Sequence, residues 1–396
     1  MSNPESSDAL AKALDQLARS KGVELPNIPS SPGRVAYLRF LSDRGYREDE
    51  LLPVIRQDRV TAEMKASLFP ALMQATQSND PKFIKMVIWM AHNSLVGRDN
   101  TNLIINELAT ALTKDLAKAD ITIPPFYAGV FPTDSYNAQC TLVNGQNIVL
   151  IDTGCMEMAE TLVICFLSKV STSEKIKQIS LAIDNYVLRG DRADAFNLNT
   201  LGVDFGSLLP GHMTNCFEEY IIAHELGHLA LGHATDQRVR HHSPRIGLTL
   251  EVVDKSEFQE FEADVWACRA LLTNARNRQR SDSDVALAVA GLSLGLGVGL
   301  LVEASAAKHG ISLSAGHPPS HERLYMMEVA YELFGVHEDA YIGRRVHELV
   351  EEIIRSEYPS ARMAPFLDRD LNRKMLGVLD SLKVDYSRAP YITDFT

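Results

Sequence analysis

The sequence predicts a mostly helical α+β protein in which an all-α N-terminal region precedes a domain with a small antiparallel sheet. Three observations carry that prediction. Helical periodicity dominates residues 34–118 and returns from Pro319 to Leu382. Composition switches at Ile121 to strand formers, with a hairpin signal at Asn144-Gly145. The stretch Glu218–Thr235, EEYIIAHELGHLALGHAT, then reads as a helix with His224 and His228 four residues apart.

At 396 residues and 45% hydrophobic content the chain can build a sizeable core. Two regions are expected, a helical part over 1–120 with a Pro-rich linker and a second domain over 121–396. The formal charge of −12 is uneven: residues 1–120 hold 15 acidic and 15 basic side chains, leaving 36 and 24 in the remainder. Such an acidic chain has no general attraction for phosphate backbones, so nucleic acid is not an expected partner. Five scattered cysteines (Cys140, Cys155, Cys165, Cys216 and Cys268), with no CxxC pair, point to a reducing compartment. The polar N-terminus lacks the apolar core of a secretory signal, which reads as cytoplasmic.

Taken in order, Asp8–Ser20 is a short amphipathic helix, and Glu24–Gly33, with three prolines and a glycine, is a linker or strap. Asp80-Pro81 is a cap and first-turn pair, and a further helix runs from about Asn100 to Lys118. This N-terminal part either recruits a regulatory partner or simply packs for stability. Cys140–Val143 and Ile148–Ile151 form the hairpin, followed by helices over Glu157–Val170 and Thr172–Leu188. The Gly-, Asp- and Asn-rich stretch Arg189–Asn215 reads as a connecting loop or a lid. Asp236–Pro244 reads as a solvated basic loop, Arg245–Val253 as a strand, and Ser256 as the cap of a helix from Glu257 to Leu272. The run Val285–Val302 has the minimum length for a membrane span. Its glycines, its acidic flanks and the lack of an aromatic belt favour a buried central helix over insertion in an inner membrane.

The histidine helix carries HExxH, a metal signature with a chemical reason. Positions i and i+4 lie one above the other, so the rings of His224 and His228 can reach one cation while Glu225 sits at the edge of that face. Zinc suits such a site: it takes two imidazoles and a carboxylate, keeps one position open for water and makes that water acidic. His233, nine residues after His224, is a doubtful ligand and fits better at the helix end, near free carbonyls. His241 and His242, being adjacent, are poor candidates for a second metal. The third ligand is expected from FQEFEADVWACRALL, where Glu260 and Asp264 share a helical face. Glu260 is assigned to zinc and Asp264 to holding a ligand histidine. Glu257 and Glu262 compete for the ligand role, although Glu262 faces away if Glu260 faces the metal.

These motifs, HELGH, then EFEAD, then HPPSHERL at His317–Leu324, resemble the gluzincin zinc metallopeptidases that include the CAAX prenyl protease and the bacterial quality-control protease HtpX. The resemblance implies a zincin-like domain, one zinc ion per chain, and Glu260 as third ligand. It also implies His317 near the metal as an oxyanion support or plug, and Arg323 tying that segment to an acid. Tyr136–Gly154 is similar to the family's strand pair, whose edge strand receives substrate, which implies peptide binding along Asn137, Ala138, Gln139 and Cys140. The expected function is a zinc-dependent endopeptidase with Glu225 as general base, a divergent soluble member of that group acting on a protein or peptide. The alternatives are a non-catalytic metal-stabilised scaffold and a membrane-embedded protease using 285–302.

Overall fold

The computed structural model describes residues 7–23, 30–46, 62–81, 84, 87–88, 91, 100–131, 136–189, 209–233, 238–243, 248–253, 256–277, 282–311, 318–336, 341–359 and 369–385. The chain divides into two compact units, Met1–Glu107 and Leu108–Thr396. The first is helical, with α1 (Ser7–Lys21), α2 (Pro32–Ser42), α3 (Ala62–Gln77) and the start of α4 (Asn100–Ala117). Ser31 begins α2 by accepting the Arg34 N–H, and Pro32 fills the first helical position, where no donor is lost. Leu14 and Leu17 of α1 pack with Leu72 and Ala75 of α3 and with Ile84, Val87 and Ile88. The Asp80 carbonyl accepts the Ile84 N–H at 3.0 Å, as the Asp80-Pro81 start implies.

The second unit opens on a three-stranded sheet of β1 (Phe126–Phe131), β2 (Ala138–Val143) and β3 (Gln146–Asp152), in the order β1-β3-β2. Asn144 and Gly145 take φ of 50° and 75°, the left-handed pair that a tight hairpin needs. The sheet is mixed, not purely antiparallel as expected, because β1 runs parallel to β3. The hairpin signal fixes only β2 against β3. The apolar β3, buried from Ile148 to Asp152, takes a second neighbour whose direction no local turn encodes.

Helices follow: α5 (Thr153–Leu167), α6 (Thr172–Arg189) and α7 (Leu209–Ala230), the last already under way within the stretch expected to be a loop, whose residues 190–208 lie outside those described. The basic segment expected to be a solvated loop contains a strand. Arg238–Ser243 (β4) pairs antiparallel with β5 (Leu248–Val253), because the strand-forming LTLEVV supplies a ladder that the basic residues follow. Then come α8 (Glu257–Asn277), α9 (Asp282–Lys308), α10 (Ser320–Leu333), α11 (Tyr341–Glu357) and α12 (Arg369–Ser381).

Within the second unit, α9 has α6, α7, α8, α10 and α11 packed against it. Among the described residues it is the one helix long and apolar enough to cross a membrane, and 89% of its apolar stretch is buried inside the unit. Its glycines set the distances to its neighbours. A methyl on Gly291 would lie 2.5 Å from the Cys216 carbonyl carbon of α7, one on Gly295 would strike the Tyr220 ring, and one on Gly299 would meet Ser320 Oγ at 2.7 Å. The other end of α9 is tied to α6 through Asp184, which accepts from Ser305 Oγ at 2.5 Å, Lys308 Nζ at 3.1 Å and Tyr358 Oη at 3.0 Å. Burial pushes the Asp184 carboxyl up, but those three donors outweigh it and hold the group below the usual carboxylate range.

Two outcomes are expected. Gly291→Ala should lower stability by about 3 kcal/mol, the upper end of overpacking costs, because backbone cannot swing aside as a side chain would; a melting curve that matches wild type contradicts the α7–α9 contact. The stability lost in Asp184→Asn should be full near neutral pH and vanish in acid: a depressed carboxylate stabilises above its unfolded pKa of about 3.9 and stops doing so as pH falls through its lower folded value. Denaturant titrations of both proteins across that range give the check.

Candidate metal centre

Helices α7 and α8 cross at Gly227. A methyl there would come within 3.2 Å of the Ala263 Cα and carbonyl oxygen and 3.3 Å of the Trp266 ring, so the glycine makes room for the partner helix. At that crossing His224 and His228 of α7 meet Glu260 of α8, all three buried, with their ligand atoms converging on one point. The two Nε2 atoms are 3.2 Å apart, Glu260 Oε2 lies 3.2 Å from His224 Nε2, and Oε1 lies 3.3 Å from His228 Nε2. Donors at 2.0–2.1 Å around a tetrahedral ion stand roughly 3.3 Å apart, so the spacing fits a zinc-sized cation. The donor chemistry fits too: two imidazole lone pairs aimed at each other and at a carboxylate repel unless something positive stands between them.

Around these donors lies a network that fixes their orientation. His224 Nδ1 donates to Asp264 Oδ1 at 2.8 Å, which holds the ring with Nε2 facing the cluster. The hydroxyl of Tyr220, one turn before His224, donates to the same oxygen at 3.0 Å. Arg323 of α10 clasps Asp264 with Nε on Oδ2 at 2.7 Å and a terminal nitrogen on Oδ1 at 2.8 Å. Asp264 is fully buried. Burial alone would raise its pKa, but Arg323 and His224 hold it far below the carboxylate range. For His224, burial works against the charged form, and the charges and hydrogen bonds of Asp264 and Glu260 overcome it, pushing the ring up to about 9. Among the described residues Glu260 and Asp264 set two buried carboxylates against the single guanidinium of Arg323, so the pocket attracts positive charge.

The residues expected at the site divide clearly. His224, His228, Glu260, Asp264 and Arg323 are brought together; Glu225 is buried beside them on α7. Ala138, Gln139 and Cys140 lie on β2, with Asn137 just before it, at an edge of the sheet and against α7. His317 lies outside the described residues. Glu257, a competitor for the ligand role, contacts Lys374 instead. Tyr220 joins the site beyond the residues expected from the sequence, and its place four residues before His224 on one helical face is the readable signal. His241 and His242 are neighbours on β4.

Asp264→Asn keeps the shape but offers His224 an amide in place of a carboxylate. It should weaken binding of a divalent ion about 10- to 100-fold. Competition with a chromophoric chelator measures this, and unchanged affinity would show that Asp264 does not orient the ring.

Residues 217–345 match the family model described as Peptidase U49. No curated protein matches the chain, and no solved structure does. The matched segment is about a third of the chain and contains the part of α7 from Phe217 onward, the β4–β5 hairpin, α8, α9 and α10. It therefore covers the residues that form the cluster. A peptidase description over the helices that build a buried His-His-Glu centre supports placing this chain with the peptidases.

Proposed function

We propose that the chain is a zinc-dependent endopeptidase, a divergent soluble gluzincin that works in the cytoplasm with one zinc ion per chain. The observation that supports this best is the convergence of His224, His228 and Glu260 within the segment matched by a peptidase family. The five cysteines, all reduced and buried, agree with a reducing compartment.

When bound in such a site, zinc polarises the scissile carbonyl and makes a water acidic enough to act as nucleophile near neutral pH. The chain supplies the rest. Glu225, next to His224 on α7 and only 2% exposed, takes the proton of the attacking water on its carboxylate and passes it to the departing amine. His317, from the segment ahead of α10, is assigned to the oxyanion. The peptide adds as a strand beside β2, an edge of its sheet, along Asn137–Cys140. β5 approaches β2 and so flanks that position.

Glu225→Gln should retain zinc and lose cleavage by about 10²- to 10⁴-fold, the range for removing a general base. The check is a comparison of new protein termini in cells carrying wild type or the variant, with metal content measured on both proteins. Wild-type termini that persist in the variant, or that survive a chelator, would remove this mechanism. Bound zinc with no cleavage from either protein would favour the metal-stabilised scaffold.

A further inference from the structure

His233 and Glu262 have no part in the scheme above, yet both are buried, at 6% and 9% exposure, next to its ligands. Gly232, at φ 73°, turns the chain sharply at the end of α7. The His233 N–H then donates back to the His228 carbonyl at 2.8 Å, and the Gly232 N–H to that of Leu229 at 3.3 Å. This left-handed close folds the His233 ring onto His228: the centroids are 5.2 Å apart, and the two Nδ1 atoms are 3.0 Å apart. The far nitrogen of His233, Nε2, lies 3.0 Å from Glu262 Oε2. Glu262 points away from Glu260 around α8, and beyond His228 it meets His233. The Ser381 hydroxyl, at the end of α12, hydrogen-bonds Glu262 Oε1.

The proton positions follow from the donor requirement at the cluster. His228 Nε2 faces His224 and Glu260, so as a ligand it carries no proton, and the ring's one N–H is on Nδ1. Only an acceptor can face that N–H, so His233 Nδ1 is bare and its proton sits on Nε2. That proton can end only on an acceptor, and Glu262 is one. The two ligand histidines therefore terminate on carboxylates by different routes: His224 directly on Asp264, and His228 through an interposed imidazole.

We infer that His233 and Glu262 are positioning residues that fix the tautomer and orientation of His228, with Ser381 of α12 hydrogen-bonded to Glu262 at the end of the chain. The inference rests on the reading of the cluster as a zinc site. It gives a chemical use to the second half of HELGHLALGH: the spacing from His228 to His233, with glycine just before His233, places a bare nitrogen on the back of the ligand ring.

Zn²⁺ affinity, read by chelator competition, and the visible spectrum of the Co²⁺-substituted protein provide the test. His233→Ala should weaken Zn²⁺ about 10- to 100-fold and shift the Co²⁺ bands. His233→Asn, whose amide oxygen can still accept from His228 Nδ1, should recover part of the affinity. In the Zn²⁺-loaded wild type, ¹⁵N spectra of labelled histidine should show His228 protonated at Nδ1 and His233 at Nε2, which stands even if His233→Ala fails to fold. The reverse tautomer at His233, or wild-type affinity and Co²⁺ bands in a folded His233→Ala, overturns the inference and leaves the zinc reading in place. A wild-type protein that binds no Zn²⁺ overturns both.

Discussion

The close crossing of α7 and α8 at Gly227 is the constraint on which the site depends. Without a side chain at that position, α8 can bring Ala263 against α7. Glu260 and Asp264, on the facing side of α8, then reach His228 and His224. The crossing also takes these polar groups out of water, where an unpaired charge costs several kcal/mol. The fold answers each one: Asp264 with a bidentate arginine, a tyrosine and a histidine, and His224 with that same aspartate. Glu260 and the two facing imidazole nitrogens form a donor set suited to a positive charge at their centre. In this sense the centre is defined by its surroundings as much as by its donors.

Helix α9 holds that arrangement in place. Its composition suits a membrane, yet its small residues serve packing between protein helices, with Gly291 against the α7 backbone, Gly295 under Tyr220 and Gly299 against Ser320. Tyr220 connects this packing to the chemistry, since its ring rests over Gly295 while its hydroxyl reaches Asp264. Glu303 adds a second link by accepting the backbone N–H and the hydroxyl of Ser320 at the start of α10. Arg323 lies in the first turn beyond, so the clasp on Asp264 comes from a helix whose start is itself anchored.

Much of this was legible in the sequence because it is local and periodic. Spacing of four on one helix relates His224 to His228 and Glu260 to Asp264, and Asn144-Gly145 dictates the β2–β3 turn. What stayed hidden depends on where separate elements meet. Nothing in Phe126–Phe131 says that β1 joins β3 in parallel, and the basic letters of Arg238–Ser243 mask a strand that exists through its partner β5. Nothing in HELGH itself says that Gly227 makes room for a crossing helix, since Ala263 and Trp266 come from a separate element. The spacing of His233 marks a helix end, but its side-chain partner, Glu262, sits 29 residues further on, and no local pattern joins them.

The centre stands or falls with a single cation held by two imidazoles from α7 and a carboxylate from α8. X-ray absorption at the metal edge of the purified full-length protein tests this most directly. It should show one zinc per chain, with two imidazole nitrogens and carboxylate or water oxygen at about 2.0–2.1 Å. A shell containing sulfur, an all-oxygen shell, or protein that retains no metal would contradict it.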